Sequence, residues 1–277
     1  MRNAKLVGAI GVPLLVTALV SGQTVRSAGG VDGAAIQGTL DLFRADLGVL
    51  NPNQPGSFGS GRREINWDGV PDTFSAPNSF PANFFNVNSP RGTVFSTPGT
   101  SLMLNADSSN PTATPNDFGN INPVYQEQFA PFSGQRMFTA IDSNVTDVHF
   151  FVPGSTDAAV VRGFGVVFSD VDLADSTRVQ FFDAGDNEIF NQLVLPGGTA
   201  EGFSFLGASF ATSVVARVRI TSGNGTLGAA ISEDPAGLLD LVVMDDFVYG
   251  EPVLIPGPGV VALCGVAGVL TIRRRRR

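Results

Sequence analysis

Val214-Val215-Ala216-Arg217-Val218-Arg219-Ile220-Thr221 alternates with a period of two. Val214, Ala216, Val218 and Ile220 fall on one side of an extended chain, and Val215, Arg217, Arg219 and Thr221 on the other, which is the pattern of a half-buried strand. Working outward, strand-like runs recur at 137–141, 145–152, 160–168, 177–183, 188–195, 202–205 and 239–249. Asp183-Ala184-Gly185-Asp186, Pro196-Gly197-Gly198 and Ser222-Gly223-Asn224-Gly225 separate some of them as turns. Short strands at this spacing, with no helices between them, predict an all-β body built as an antiparallel β-sandwich, jelly-roll-like in the manner of secreted carbohydrate-binding modules.

Upstream the pattern loosens. Residues 51–133 hold 11 of the 18 prolines, with many Asn, Ser and Gly. Short apolar pieces such as Glu64-Ile65-Asn66-Trp67 and Gly92-Thr93-Val94-Phe95 interrupt them, which predicts short strands joined by long ordered loops. Phe74, Phe80, Phe84, Phe85 and Phe95 supply core material that a disordered linker lacks. In residues 23–50, Leu40, Leu42, Phe43, Leu47 and Leu50 recur at roughly helical spacing and predict one short helix or turn.

The two ends read differently from the body. Arg2 and Lys5 precede an apolar stretch from Leu6 to Val20, and Ser21 and Gly22 follow, the order of a secretory signal peptide over residues 1–22. At the other end come Pro256, Gly257, Pro258 and Gly259, an uncharged run from Val260 to Ile272, and then Arg273, Arg274, Arg275, Arg276 and Arg277. A helix of those 13 residues spans about 20 Å, short of the roughly 30 Å hydrocarbon core, unless the span begins near Val253. The arginines resist crossing and belong on the cytoplasmic side. The order of Pro-x-Pro, apolar helix and arginine block resembles the PEP-CTERM sorting signal of Gram-negative bacteria, with Gly257 where that family has Glu. The resemblance implies an exosortase-like processing enzyme as partner, a membrane-inserted C-terminal helix, and delivery to the cell surface or extracellular matrix. The expected organisation is therefore 1–22 signal peptide, 23–135 loop-rich part of the ectodomain, 136–252 its strand-rich remainder, and 253–277 sorting signal.

Without the two ends, the 17 basic residues fall to 10 against 25 acidic ones, a net charge of −15. Such a body repels nucleic acid and attracts divalent cations. The one cysteine, Cys264, lies in the apolar tail, so no disulfide is available to the body.

Several carboxylates are candidate ligands for Ca²⁺. Asp170, Asp172 and Asp175 sit in a turn after a strand, where Asp170 and Asp172 would point the same way from extended backbone. The other reading is a solvated turn with Asp capping backbone amides. Asp245 and Asp246 lie in the last strand, one expected on each face, so one must be buried and paired or metal-bound. Trp67 reads as core or as a sugar-stacking platform, and Asp68 before Gly69 as turn chemistry or a ligand contact. His149, the only histidine, shares a strand face with Asp147. Gly202-Phe203-Ser204-Phe205-Leu206 lacks the closing glycine of a nucleophile elbow. The expected function is a non-catalytic structural or polysaccharide-binding module. The alternative is a glycan-active hydrolase or lyase working through two carboxylates, whose separation is a tertiary property.

Overall fold

The computed structural model describes residues 22–233 and 237–255, so residues 1–21 of the expected signal peptide and 256–277 of the expected sorting signal lie outside the described residues. Among the described residues fourteen strands and two α-helices follow in chain order: β1 (Gln23–Gly30), α1 (Gly33–Leu47), β2 (Arg62–Ile65), α2 (Phe84–Val87), β3 (Thr93–Ser96), β4 (Ser101–Leu104), β5 (Phe138–Ile141), β6 (Val145–Phe150), β7 (Ala159–Val160), β8 (Gly163–Ser169), β9 (Arg178–Phe182), β10 (Glu188–Leu193), β11 (Phe203–Phe210), β12 (Arg217–Thr221), β13 (Val243–Gly250) and β14 (Val253–Leu254). The fold is all-β and its strand pairs are antiparallel, as the period-two runs predict.

Two large sheets form. One runs β1-β11-β8-β13-β5-β4 with β2 also paired to β13, and the other runs β10-β9-β12-β6-β3. Alternate side chains from both meet in one core: Phe164, Phe247 and Tyr249 from the first sheet, Val148, Phe150, Phe181, Val218 and Ile220 from the second. Ring pairs cross between them, Phe150–Tyr249 at 5.7 Å and Phe95–Phe138 at 5.3 Å between centroids. Phe thus does the work that 22 such residues and a single Trp foreshadow.

The outer face of the first sheet is covered by α1. Asp32 opens the helix by accepting the Ala35 N–H at 3.0 Å, and Gly48, at φ 101°, closes it. Ile36, Leu40, Phe43 and Leu47 are buried against Val167, Phe203, Phe205 and Val248, while Leu42 and Leu50 are exposed. Phe43 rests on a shelf made by the paired glycines Gly165 and Gly207, where an added Cβ would come within 2.7 and 2.9 Å of its ring.

Some boundaries differ from the sequence reading. β1 was not anticipated: it is an edge strand, half-exposed, with the composition Gln-Thr-Val-Arg-Ser-Ala-Gly-Gly. The run 160–168 is two strands, broken at Val161 and Arg162. In the 214–221 run, Val218 and Ile220 are buried and Arg217 and Arg219 partly exposed, as the alternation requires, but Val215 rather than Val214 is buried because the strand begins only at Arg217. Val253 and Leu254, grouped above with the tail, pair with β7. No helix among the described residues is long and apolar enough to cross a membrane.

Candidate functional site

Four of the sequence candidates, Trp67, Asp68, Asp245 and Asp246, converge around one loop. Asp245 and Asp246 sit at a β-bulge in β13: Met244 faces Phe168 and Phe247 faces Val166, so two residues oppose one on β8. The extra residue resets the alternation. Met244 and Phe247 both enter the inter-sheet core, and both aspartates turn to the helix side of the sheet, not one to each face. Asp245 Oδ2 accepts the Phe132 N–H at 2.7 Å and the Ser133 N–H at 3.4 Å. Asp246 Oδ1 accepts the Ser133 hydroxyl at 2.6 Å, and its other oxygen lies 3.5 Å from Arg44 Nη2. Burial pushes both carboxyls above the usual range, Asp245 well above it and further raised by Asp246 beside it.

Asp68 holds the other end of the same loop. Its Oδ1 accepts the Gln135 N–H at 2.9 Å and the Arg136 N–H at 3.2 Å. Gly134, at φ 54°, is needed there because a Cβ would fall 2.1 Å from the Asp68 carboxylate. Trp67 is 1% exposed, stacked on Phe138 at 4.4 Å, and donates its Nε1–H to the Asp245 carbonyl at 2.8 Å. Its ring is core and offers no face to a sugar, while Asp68 is turn chemistry that spans from β2 to the loop before β5.

Beside this loop a cleft of about 330 Å³ opens. Arg44 reaches it from the last turn of α1, Asn51 and Asn53 from the following loop, Glu64 and Asn66 from β2 and its end, Arg91 from before β3, and Ser133 and Asp246 from the loop and bulge. Arg44 clasps Glu64 with Nε at 3.2 Å and Nη2 at 3.1 Å, and so joins both cleft carboxylates to one guanidinium. Arg62 Nε adds a 2.6 Å bond to Glu64. Arg91 donates to Asn53 at 2.9 Å and lies over the Phe85 ring, and burial lowers its pKa. The lining mixes acceptors, donors and amides that are both, and contains no aromatic ring.

The sequence reading found Asp246 but not Arg44, Asn51, Asn53, Glu64 or Arg91 as partners. These come from four separate segments, and only the recurrence of asparagine in 51–66 carried a signal.

The acidic turn after β8 is split. Asp170 is fully buried while Asp172 and Asp175 are exposed. Asp170 has φ 71°, so the backbone is not extended there and the expected common direction of Asp170 and Asp172 is lost. Neither Asp170 oxygen has a hydrogen-bond partner among the described residues, and the neighbouring Gln128 Nε2 is also unbonded. Burial raises the Asp170 carboxyl to about 8, with Glu233, Asp172 and Asp240 adding to the rise. Asp240 is occupied: it accepts the Asp172 and Leu173 N–H groups and the Ser176 hydroxyl. Asp147 pairs with Arg217 and Arg219, and His149 Nε2 lies 3.0 Å from Ser96 Oγ, with burial lowering its pKa. Among the described residues, no three His, Cys, Asp or Glu side chains form a ready metal cage.

No protein-family model matches the chain, and no curated protein matches it. Among solved structures, the enzymatically active domain of tailspike protein 4 of bacteriophage CBA120 aligns at 12% identity over 66% of this chain and 22% of that one, with a TM-score of 0.27. So slight a likeness carries neither fold nor activity across.

Proposed function

We propose that the chain is an exported cell-surface or extracellular-matrix protein whose body is a non-catalytic, jelly-roll-like module that binds polysaccharide. The observation that supports binding is the cleft at Asp246. Its carboxylates, guanidiniums and amides alternate donors with acceptors, which suits a ligand rich in hydroxyls, each both donor and acceptor. Both carboxylates are already engaged by Arg44, a fixed scaffold rather than a free acid and base. Export and sorting rest on the two terminal segments and on the resemblance of the tail to a PEP-CTERM signal, with an exosortase-like enzyme as processing partner. The test is a glycan array probed with the protein and with Asn66→Ala, a cleft residue in no hydrogen bond to the loop. Binding lost in the variant supports the reading, and no glycan bound by the parent refutes it. Intact mass by cell fraction tests sorting: a body ending between residues 251 and 259 outside the cell supports processing, and a membrane form retaining Arg277 refutes it.

A second reading, a glycan-active hydrolase or lyase, is favoured by one observation. Asp246 is an acid raised by burial that shares Arg44 with Glu64. New reducing ends or unsaturated products from a bound glycan, absent with Glu64→Gln, would favour it.

Calcium belongs to the proposal at Asp170. A buried carboxylate with two bare oxygens in a strained backbone is the kind of group that a cation would complete. Asp245 Oδ2 and both Asp246 oxygens are engaged by N–H, hydroxyl and guanidinium donors, and Asp245 Oδ1 alone of the four is left without a hydrogen-bond partner.

A further inference from the structure

The ten described arginines sit in a chain with 25 acidic residues, and nine of them have a guanidinium bonded to a carboxylate, amide or backbone acceptor. Arg162 is the exception. Its side chain has no ion pair and no hydrogen bond among the described residues, and its Nε is buried without a partner. With acids in such excess, a cation left alone is unusual, because a fork of five donors normally finds a carboxylate.

Arg162 lies at the break between β7 and β8, its stem across Gly250, where a Cβ would meet Arg162 Cγ at 2.7 Å. It lines a pocket of about 300 Å³ together with Ser60, Thr212 and Ser213, three hydroxyl side chains from the loop before β2 and the connection after β11. Glu251 also lines the pocket but cannot neutralise Arg162. Its Oε1 accepts the Phe58 N–H at 3.1 Å and Arg63 Nη2 at 2.8 Å, and its Oε2 accepts Asn51 Nδ2 at 2.8 Å and Arg63 Nε at 2.7 Å. Both partners of that pair are buried, so moving Glu251 to Arg162 would strand the Arg63 charge in the interior. The pocket therefore presents one uncompensated cation among hydroxyl donors. The acidic body as a whole does not forbid an anion there, since exposed charges beyond about 8 Å are screened at physiological salt.

We infer that this pocket binds an oxyanion carried on a sugar, the carboxylate of a uronic acid or a sulfate ester, and so makes the protein selective for acidic polysaccharide. The inference rests on the polysaccharide-binding reading for its ligand class, not for its site. The Arg162 guanidinium meets the anion, and the hydroxyls of Ser60, Thr212 and Ser213 donate to its remaining oxygens.

Calorimetry on the intact protein tests this with trigalacturonate, its neutral methyl ester, and a sulfated disaccharide beside its unsulfated parent. A charge-assisted contact is expected to favour an acidic form over its neutral twin about tenfold or more. Arg162→Gln abolishes that preference, Arg162→Lys keeps part of it, and both melt with the parent. The acid that loses its preference in Arg162→Gln identifies the carboxylate or the sulfate as the recognised group. Equal binding of acidic and neutral forms by the parent overturns the inference, as does a preference that survives Arg162→Gln. Neutral sugars bound with no acid preference would sink this site and leave the cleft reading intact. An acid preference with no neutral binding would sink the cleft reading and leave this site standing.

Discussion

Replacing Asp245 tests whether its carboxyl serves as a neutral hydrogen-bonding group or as a charge. In the structure it is fully buried, accepts two backbone N–H groups, and sits against Asp246 with its pKa pushed well above 3.8. Asp245→Asn keeps an oxygen for the Phe132 N–H and turns an amide donor toward Asp246, where a protonated carboxyl would donate. The expected change is within about 1 kcal/mol at pH 6. Asp245→Ala removes the acceptor from one strong and one long N–H bond, for an expected loss of about 3 kcal/mol. The pH dependence follows from the sign of the shift. A raised pKa means that the native state keeps a proton the unfolded chain has released, so this group's stabilisation falls as pH rises above 3.8. Within that window the parent should lose about 1.4 kcal/mol per pH unit relative to Asp245→Asn. Urea unfolding followed by Trp67 fluorescence is the assay, since Trp67 is the only tryptophan and bonds to the Asp245 carbonyl. A loss in Asp245→Asn as large as in Asp245→Ala would refute the reasoning and show that the charge itself is required, as a metal ligand would be.

If Ca²⁺ completes Asp170, calcium at about 100 times its Kd should add about 2.7 kcal/mol, roughly 5–10 °C in Tm, and Asp170→Asn should remove the effect. A melting curve indifferent to both calcium and chelator rules the ion out. Glu251→Gln leaves Arg63 buried without its counter-charge and should cost about 3–5 kcal/mol by denaturant titration, with Arg63→Met/Glu251→Gln recovering much of it; an unchanged midpoint contradicts this. Gly207→Ala drives a methyl to 2.9 Å from Phe43 and Phe205 and should destabilise by about 1–3 kcal/mol. Gly38→Ala, on the open face of α1 with nothing within 4 Å, should stabilise by about 0.5–1 kcal/mol, so thermal melts must move in opposite directions.

Strands β9 and β12 were legible because each buries one face, and a period of two in composition follows directly from that burial, whereas β8, β11 and β13 are buried on both faces and read as apolar runs. The edge strand β1 was not, because it is half-exposed and α1 packs beside it, so its residues carry no alternation. α1 was legible through Leu40, Phe43 and Leu47, although Leu42 and Leu50 proved exposed. The candidate site was legible only in part. Asp246 could be suspected as a carboxylate in an apolar strand, but its direction depends on a bulge set by pairing with β8, which no local pattern encodes. Arg44, Glu64 and Arg91 meet it through tertiary folding of segments that look ordinary alone. Asp170 was singled out for its neighbours in sequence, whereas its positive φ separates it from them.

The way β14 joins the body bears on mechanics. Any tether beyond Ile255 would pull first on the Ile255 N–H bonded to the Ala158 carbonyl and then on Val253 and Leu254, paired to the short β7. Those bonds would peel one at a time under low force. Load would then reach Glu251, whose carboxylate is bonded to Arg63, Asn51 and the Phe58 amide. Behind it lies β13, hydrogen-bonded between β8 and β5 in the middle of the larger sheet. A weak zipper in front of a strong latch would act as a fuse, letting a stretched attachment lengthen by a few residues before strain enters the sheet that holds the cleft.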